Sequence, residues 1–216
     1  RWLLRPGPGQ KTIVRVDRLD VTKNVLRGFE AYRLLLHRHP DLRERVYFLA
    51  ILVPSKTDIA AYREYQQQAL DMVAEINREF GNHRWRPIRL LFEHNRMQAL
   101  AAMSLYDALL VNPLADGMNL VAKEGPLLNT RDGVLVLSRK AGAFDELADR
   151  WACDRAAGRA AAVPRVARQA VQRGVGHALV AELRAGALGE HDGARLAQPG
   201  DRRRVLGGRR LAGELA

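Results

Sequence analysis

Two carboxylates stand eight residues apart in a segment whose residue types suit a charged, hydroxyl-bearing ligand. Asp116 precedes Gly117 after the strand-like run 108–111, and Glu124 lies inside an apparent helix. A strand, a glycine-containing turn and a helix N-terminus together present backbone N–H groups to an anion. Each carboxylate also has a structural interpretation, because Asp favours turns and Glu favours the start of a helix. The segment 114–124 is the first candidate site.

Two cations follow the first predicted strand. Arg18 and Lys23 lie just after the β-rich run 12–16. A guanidinium offers a planar fork of donors and an ammonium a point charge, so the two can clamp a diphosphate. The alternative is a pair of solvated loop cations. His37 and His39 flank a helix end without an evident third partner, so we expect no metal site there.

The elements that must position these residues alternate along residues 11–150. We predict strands at 12–16, 46–52, 88–92, 108–111 and 133–138, and helices at 23–38, 59–80, 97–106, 119–128 and 143–147. The run 46–52 is continuously apolar, as in a strand covered on both faces. Repeated β-α-β units predict an α/β fold with a parallel, doubly wound, Rossmann-like sheet. Such sheets bind ligands at the carboxyl ends of their strands.

Composition narrows the class of protein further. The chain has 216 residues, of which 47% are hydrophobic, so it can bury a core. No apolar run approaches the ~20 residues that span a bilayer, so we expect no membrane segment. The start, 1–6, is too short for a signal peptide. The lone Cys153 allows no intrachain disulfide, and a cytoplasmic location is the expectation.

The composition changes abruptly near Arg150. Residues 152–216 contain no Ser, Thr, Asn, Lys, Ile, Met, Phe or Tyr. Of the formal net charge of +11, residues 151–216 carry +6, from twelve arginines and six acids. We predict an irregular or helical basic tail over 149–216 that is either disordered or translated from a shifted reading frame.

Several segments in register resemble the trehalose-6-phosphate synthase family. Residues 15–24, RVDRLDVTKN, are similar to that family's V-(D/E)-R-L-D-x-(S/T)-K-(G/N). Residues 112–124, NPLADGMNLVAKE, resemble its (T/N)-P-L-R-D-G-M-N-L-V-A-K-E. The segments 53–58 and 133–138 extend the resemblance to roughly 11–148. The family consists of retaining glycosyltransferases with two Rossmann-like domains, the GT-B fold, and this chain resembles the C-terminal, donor-binding one.

The resemblance implies an enzyme that transfers glucose from UDP-glucose to glucose 6-phosphate in trehalose biosynthesis. Arg18 and Lys23 would hold the donor diphosphate, and Asp116 would bind glucose hydroxyls. These three are the expected catalytic residues. Glu124 would hold the ribose hydroxyls, and Lys56 would lie on the acceptor side. The remaining expected contacts come from the backbone groups of Gly117, Met118, Asn119 and Leu120. No metal or other cofactor is implied, because the cations and the helix N-terminus stabilise the charge.

Three positions depart from the family pattern. Lys56 and Ala115 stand where many members have Arg, and Asn24 replaces the commoner Gly. Because Lys offers a point charge and not a planar fork, the acceptor side differs. These departures leave open a relative that uses another acceptor, such as glycerol 3-phosphate.

The resemblance implies that this chain contains one of the family's two domains. Residues 1–10 would be a linker from an N-terminal domain that this chain lacks, and 11–148 the nucleotide-sugar-binding domain. An inactive donor-binding fragment, or one that does not fold stably, is therefore a further alternative. An alternative from a different functional class is a non-catalytic interaction module whose basic tail binds a polyanion. The tail has only Trp151 for stacking, so we expect no specific nucleic-acid recognition. The sequence leaves open whether the chain forms a homo-oligomer.

Overall fold

Five parallel strands form a single sheet in the described part of the chain. The computed structural model describes residues 9–131 and 133–147. The strands are β1 (Lys11–Arg18), β2 (Val46–Val53), β3 (Ile88–Leu91), β4 (Ala108–Val111) and β5 (Val134–Leu137). Their order is β3-β2-β1-β4-β5, with every neighbouring pair parallel. The predicted doubly wound α/β sheet is confirmed.

Helices connect the strands on both faces of the sheet. They are α1 (Val25–Arg38), α2 (Ala60–Phe80), α3 (Arg96–Met103) and α4 (Leu120–Leu128), with short 3-10 turns at Val21–Lys23 and Pro40–Leu42. Residues 143–147 are again helical. None of the helices in residues 9–131 and 133–147 is long and apolar enough to cross a membrane. The predicted tail 149–216 and most of the predicted linker 1–10 lie outside the described residues.

One helix ends earlier than its predicted boundary. The sequence pattern extended α3 to Tyr106, but the helix stops at Met103. The Ser104 hydroxyl donates to the Ala101 carbonyl at 2.8 Å, and the Leu105 N–H donates to the Ala102 carbonyl at 3.0 Å. These tighter bonds close the helix and turn the chain, which brings Tyr106 into the core with no exposed surface.

The core has two layers, one on each face of the sheet. Along β2, Phe48, Ala50 and Leu52 face the layer of α1 and α2. The alternating residues 47, 49 and 51 face the layer of α3 and α4. Because side chains of a strand point alternately to opposite faces, a strand covered on both must be apolar throughout. This is the physical reason for the unbroken apolar run.

The topology creates a crevice at one edge of the sheet. From β1 the chain runs outward to β2 and β3, and then returns to β4 on the other side of β1. The loops that follow β1 and β4 therefore leave in opposite directions at the carboxyl edge. These two loops, 19–24 and 112–119, carry the candidate residues.

Candidate functional site

An ion pair joins the two loops across this crevice. The Lys23 ammonium donates a hydrogen bond to Oδ2 of Asp116, 93 residues further along the chain. The side chains retain only 14% and 17% of their exposed surface. The loop backbones also meet, since the Leu114 N–H donates to the Thr22 carbonyl at 2.8 Å. The structure thus brings together the cation and the carboxylate that the motifs predicted.

Asn119 is a second partner of the same Asp116 oxygen. Its Nδ2 donates to Asp116 Oδ2 at 2.8 Å, and its Oδ1 accepts the Ala122 N–H at 3.0 Å. It is the N-cap of α4 and adopts a left-handed backbone with φ 60°, a conformation that Asn tolerates better than most residues. One side chain therefore fixes both the helix start and the carboxylate.

The pKa of Asp116 reflects these contacts. Partial burial acts to raise the pKa, but hydrogen bonds from Lys23 and Asn119, together with the Lys23 charge, outweigh it and lower the pKa overall. Asp116 is therefore a carboxylate at neutral pH, and it can only accept hydrogen bonds. Such a group suits a ligand that presents hydroxyl donors.

The backbone around Asp116 is fixed by the segment after β5. The Asp116 N–H donates to the Lys140 carbonyl, and the Asp116 carbonyl accepts the Gly142 N–H, both at 3.0 Å. A Cβ on Gly142 would stand 1.7 Å from the Gly117 carbonyl oxygen. Only glycine therefore permits this close approach of the two backbones.

The loop also presents unpaired backbone donors. Within the described ranges, the N–H groups of Met118, Asn119 and Leu120 meet no protein acceptor. The side chains of Met118 and Leu120 are 54% and 59% exposed. These N–H groups stand at the positive end of the α4 dipole, beside the Lys23 ammonium. The arrangement can bind an anion next to a hydroxyl-binding carboxylate.

The other predicted residues lie around this centre without contacting it. Arg18 is exposed at the end of β1 and has no ion pair with any described residue. The Lys56 ammonium donates to the Tyr62 hydroxyl at 3.0 Å, and this bond raises the pKa of Lys56. Glu124 is half-buried in α4, where its carboxylate has no described partner.

The pKa of Asp20 indicates that Arg18 and Lys56 both lie near its carboxylate. Burial acts to raise the pKa of Asp20, but hydrogen bonds from Thr22 and the charges of Lys56 and Arg18 lower it overall. Both cations are therefore near the same carboxylate, on the rim of the loop that follows β1. In residues 9–131 and 133–147, no group of three His, Cys, Asp or Glu side chains could hold a metal ion.

A buried charged layer beneath the site was not predicted. The Arg15 guanidinium pairs with Asp17 at 2.9 Å, and Asp17 Oδ1 lies 3.9 Å from the Lys23 ammonium. Arg15 also donates to Asn112 Oδ1. Burial raises the pKa of Asp17 in spite of the two neighbouring cations. The signal in the sequence was the alternation of Arg15 and Asp17 with Val14 and Val16 along β1, and this alternation is equally typical of a strand with one solvated face.

The fold and the site define a Rossmann-like domain whose switch point has the groups to bind an anionic ligand. The profile of glycosyltransferase family 20 matches residues 5–157, which is more than half of the sequence. The chain belongs to glycosyltransferase family 20. The predicted family resemblance is confirmed.

Two relatives with similar sequences are trehalose-6-phosphate synthases or contain one. A bifunctional trehalose-6-phosphate synthase/phosphatase from Thermoproteus tenax is 43% identical over 142 residues, which cover 64% of this chain and 19% of that protein. A trehalose-6-phosphate synthase from Klebsiella pneumoniae is 39% identical over 140 residues, covering 63% of this chain and 30% of that protein.

Solved structures share the fold and the same partial coverage. A UDP-forming alpha,alpha-trehalose-phosphate synthase from Burkholderia xenovorans in complex with glucose-6-phosphate matches with a TM-score of 0.63 at 34% identity, over 82% of this chain and 40% of that one. A structure from E. coli bound with UDP-2-fluoro glucose matches with a TM-score of 0.64 at 29% identity, over 84% of this chain and 41% of that one. The chain thus spans less than half of each of these relatives.

Proposed function

We propose that this chain is the donor-binding part of a retaining glycosyltransferase of the trehalose-6-phosphate synthase type. The reaction transfers glucose from UDP-glucose to glucose 6-phosphate and belongs to trehalose biosynthesis. The observation that carries the proposal is the Lys23–Asp116 pair across the switch point, beside the unpaired N–H groups at the start of α4. The family match and the ligands of the two solved relatives support the same substrates.

Different residues bind different parts of the nucleotide sugar. Arg18 and Lys23 hold the diphosphate, with the backbone N–H of Leu120 on one phosphate. Asp116 accepts hydrogen bonds from glucose hydroxyls, assisted by the N–H groups of residues 117–119. Glu124 accepts the ribose hydroxyls further along α4. Each assignment pairs a ligand group with a protein group of complementary hydrogen-bonding character.

The chemistry that follows is the stabilisation of a leaving group. When the bond between glucose C1 and the diphosphate oxygen breaks, negative charge develops on the nucleotide. The Lys23 ammonium, the Arg18 guanidinium and the dipole of α4 would stabilise this charge, and the Lys23 ammonium and the α4 N-terminus already stand together at the crevice. Asp116 orients the glucosyl group during the transfer.

The acceptor side is less complete in this chain. Lys56 lies on the rim near Arg18 and supplies a cation for the phosphate of glucose 6-phosphate. Further acceptor contacts come from the N-terminal domain that the family's fold includes. We therefore propose that the chain alone binds the donor nucleotide without catalysing transfer. A cytoplasmic location fits a protein with a single cysteine that uses phosphorylated sugars.

Isothermal titration of the chain with UDP tests the proposal. Lys23→Ala should weaken UDP binding by about ten- to a hundredfold, since hydrogen bonds to charged groups contribute ~1.5–3 kcal/mol. Lys11→Ala is the matched control, because Lys11 pairs with Asp107 at 3.0 Å at the opposite edge of the sheet. The control should bind UDP like the wild type. Equal losses in both variants would contradict the assigned site.

Titration with an RNA homopolymer separates the polyanion-binding alternative. Binding through the basic tail would fall steeply with salt and would not respond to Lys23→Ala. Binding of UDP at the crevice should depend on Lys23 and discriminate UDP from uridine. A chain that binds RNA but not UDP would favour the interaction module over the glycosyltransferase.

A further inference from the structure

A fully buried arginine lies directly under the proposed donor site. The Arg15 side chain has no exposed surface, and it stands on the face of β1 that α1 covers. Its guanidinium makes three contacts, and every partner belongs to the carboxyl edge of the sheet. These partners are the Asp17 carboxylate, the Asn112 side-chain oxygen and the Lys23 carbonyl oxygen. The same cation therefore reaches both loops of the crevice.

The fold accommodates the Arg15 guanidinium by placing a glycine in α1 opposite it. Gly28 of α1 lies against it, and a Cβ there would stand 2.7 Å from Arg15 Nη1. Glycine is unfavourable inside a helix. Arg15 Nε is buried without an acceptor among the described residues. Because a buried ion pair seldom adds stability over apolar packing, this arrangement points to a role other than stability.

The contacts of Arg15 converge on Lys23. One donated hydrogen bond fixes the Lys23 backbone through its carbonyl oxygen. The second link passes through Asp17, whose Oδ2 pairs with Arg15 at 2.9 Å while its Oδ1 faces the Lys23 ammonium at 3.9 Å. Since Arg15 neutralises Asp17, the Lys23 ammonium is free to make its shorter contact with Asp116.

We propose that Arg15 is a positioning residue that holds Lys23 at the donor diphosphate. Without its guanidinium, Asp17 would be a buried carboxylate whose nearest cation is Lys23. The ammonium would then move toward Asp17 and away from Asp116, and the loop at Lys23 would lose its anchor. The inference rests on the proposed function, because the consequence is expressed in nucleotide binding.

A double-mutant cycle with UDP as the probe tests this role in the 216-residue chain. The four proteins are the wild type, Arg15→Met, Lys23→Met and the double variant. Arg15→Met should weaken UDP binding about tenfold when Lys23 is present, and less than about twofold in the Lys23→Met background, as for coupled residues in contact. A purely structural role would weaken binding equally in both backgrounds, and that result would overturn the inference.

Conservative variants guard against a failure to fold. Arg15→Lys keeps the charge but cannot span three partners at once, so it should recover part of the lost affinity. Asn112→Ala removes one partner and should give a smaller loss that again requires Lys23. Thermal unfolding of every variant identifies those that remain folded.

The outcomes also separate this inference from the proposed function. UDP binding by the wild type that depends on Lys23 but not on Arg15 would overturn the inference and leave the function standing. Absence of UDP binding by the folded wild-type chain would overturn the proposed function, and the role of Arg15 with it.

Discussion

Asn119 joins the start of α4 to Asp116: its Oδ1 accepts the Ala122 N–H at 3.0 Å while its Nδ2 donates to Asp116 at 2.8 Å. The geometry of the carboxylate is therefore coupled to the end of a helix. A ligand bound at Asp116 would therefore lie beside a helix N-terminus of fixed orientation.

Asn119→Ala should therefore affect stability and binding together. Loss of the cap is expected to lower the free energy of unfolding by about 1 kcal/mol, and loss of the Asp116 contact should weaken UDP binding severalfold. Asn95→Ala is the matched control, because Asn95 caps α3 by accepting the Gln98 N–H at 3.1 Å. The control should lose similar stability with unchanged UDP affinity. Chemical denaturation and calorimetric titration measure the two effects.

Asp116 should also make stability depend on acid pH. Its pKa in the folded chain is lower than the ordinary 3.8, so its stabilising contribution is complete above about pH 4 and is lost as the pH falls through the folded pKa. The stability difference between the wild type and Asp116→Asn should shrink over that interval. Thermal unfolding between pH 2.5 and 6, about the range in which carboxyl groups titrate, would show this. A constant difference would contradict the assigned pKa direction.

The sequence predicted the sheet well for a physical reason. A parallel strand covered on both faces must be apolar throughout, so 46–52 and 108–111 are recognisable without any structure. Strand ends then locate the loops, and the loops contain Lys23 and Asp116. The early end of α3 was missed because it depends on the Ser104 hydroxyl and a local change of bonding, which the apolar spacing does not record.

The charged layer beneath the site could not be predicted from the pattern. Arg15 and Asp17 alternate with apolar residues, which in a single strand equally indicates a solvated face. Their burial follows from α1 packing over β1, with Gly28 opposite the guanidinium. The pairing of Lys23 with Asp116 likewise depends on the order of strands, because only the adjacency of β1 and β4 brings these residues together.

Gly117, in the loop after β4, and Gly142, in the segment after β5, should respond differently to the same substitution. Gly142→Ala should destabilise the chain by at least ~2 kcal/mol, as disruptive changes in packed regions do, because its Cβ would lie 1.7 Å from the Gly117 carbonyl oxygen. Gly117→Ala should stay within about 0.5 kcal/mol, since a Cβ there meets nothing within 4 Å. Urea denaturation compares them, and similar losses would contradict the close packing of Gly142 against the loop 112–119.

Arg18 provides the sharpest separation of binding from stability. It is exposed and has no described ion pair, so Arg18→Ala should change the free energy of unfolding by less than about 0.5 kcal/mol. If its guanidinium holds the diphosphate, the same change should weaken UDP binding about tenfold or more, in line with hydrogen bonds to charged groups. Weak binding of uridine should not change, because uridine lacks the phosphates.

Arg78→Ala is the control for this experiment, since Arg78 is exposed on α2, away from the carboxyl edge of the sheet. It should match the wild type with both ligands. If Arg18→Ala weakens UDP and uridine equally, the guanidinium contacts the nucleoside and not the diphosphate. If Arg18→Ala changes the binding of neither UDP nor uridine, Lys23 and the α4 N-terminus hold the diphosphate without Arg18. The prediction that Arg18 and Lys23 together clamp the diphosphate would then be wrong.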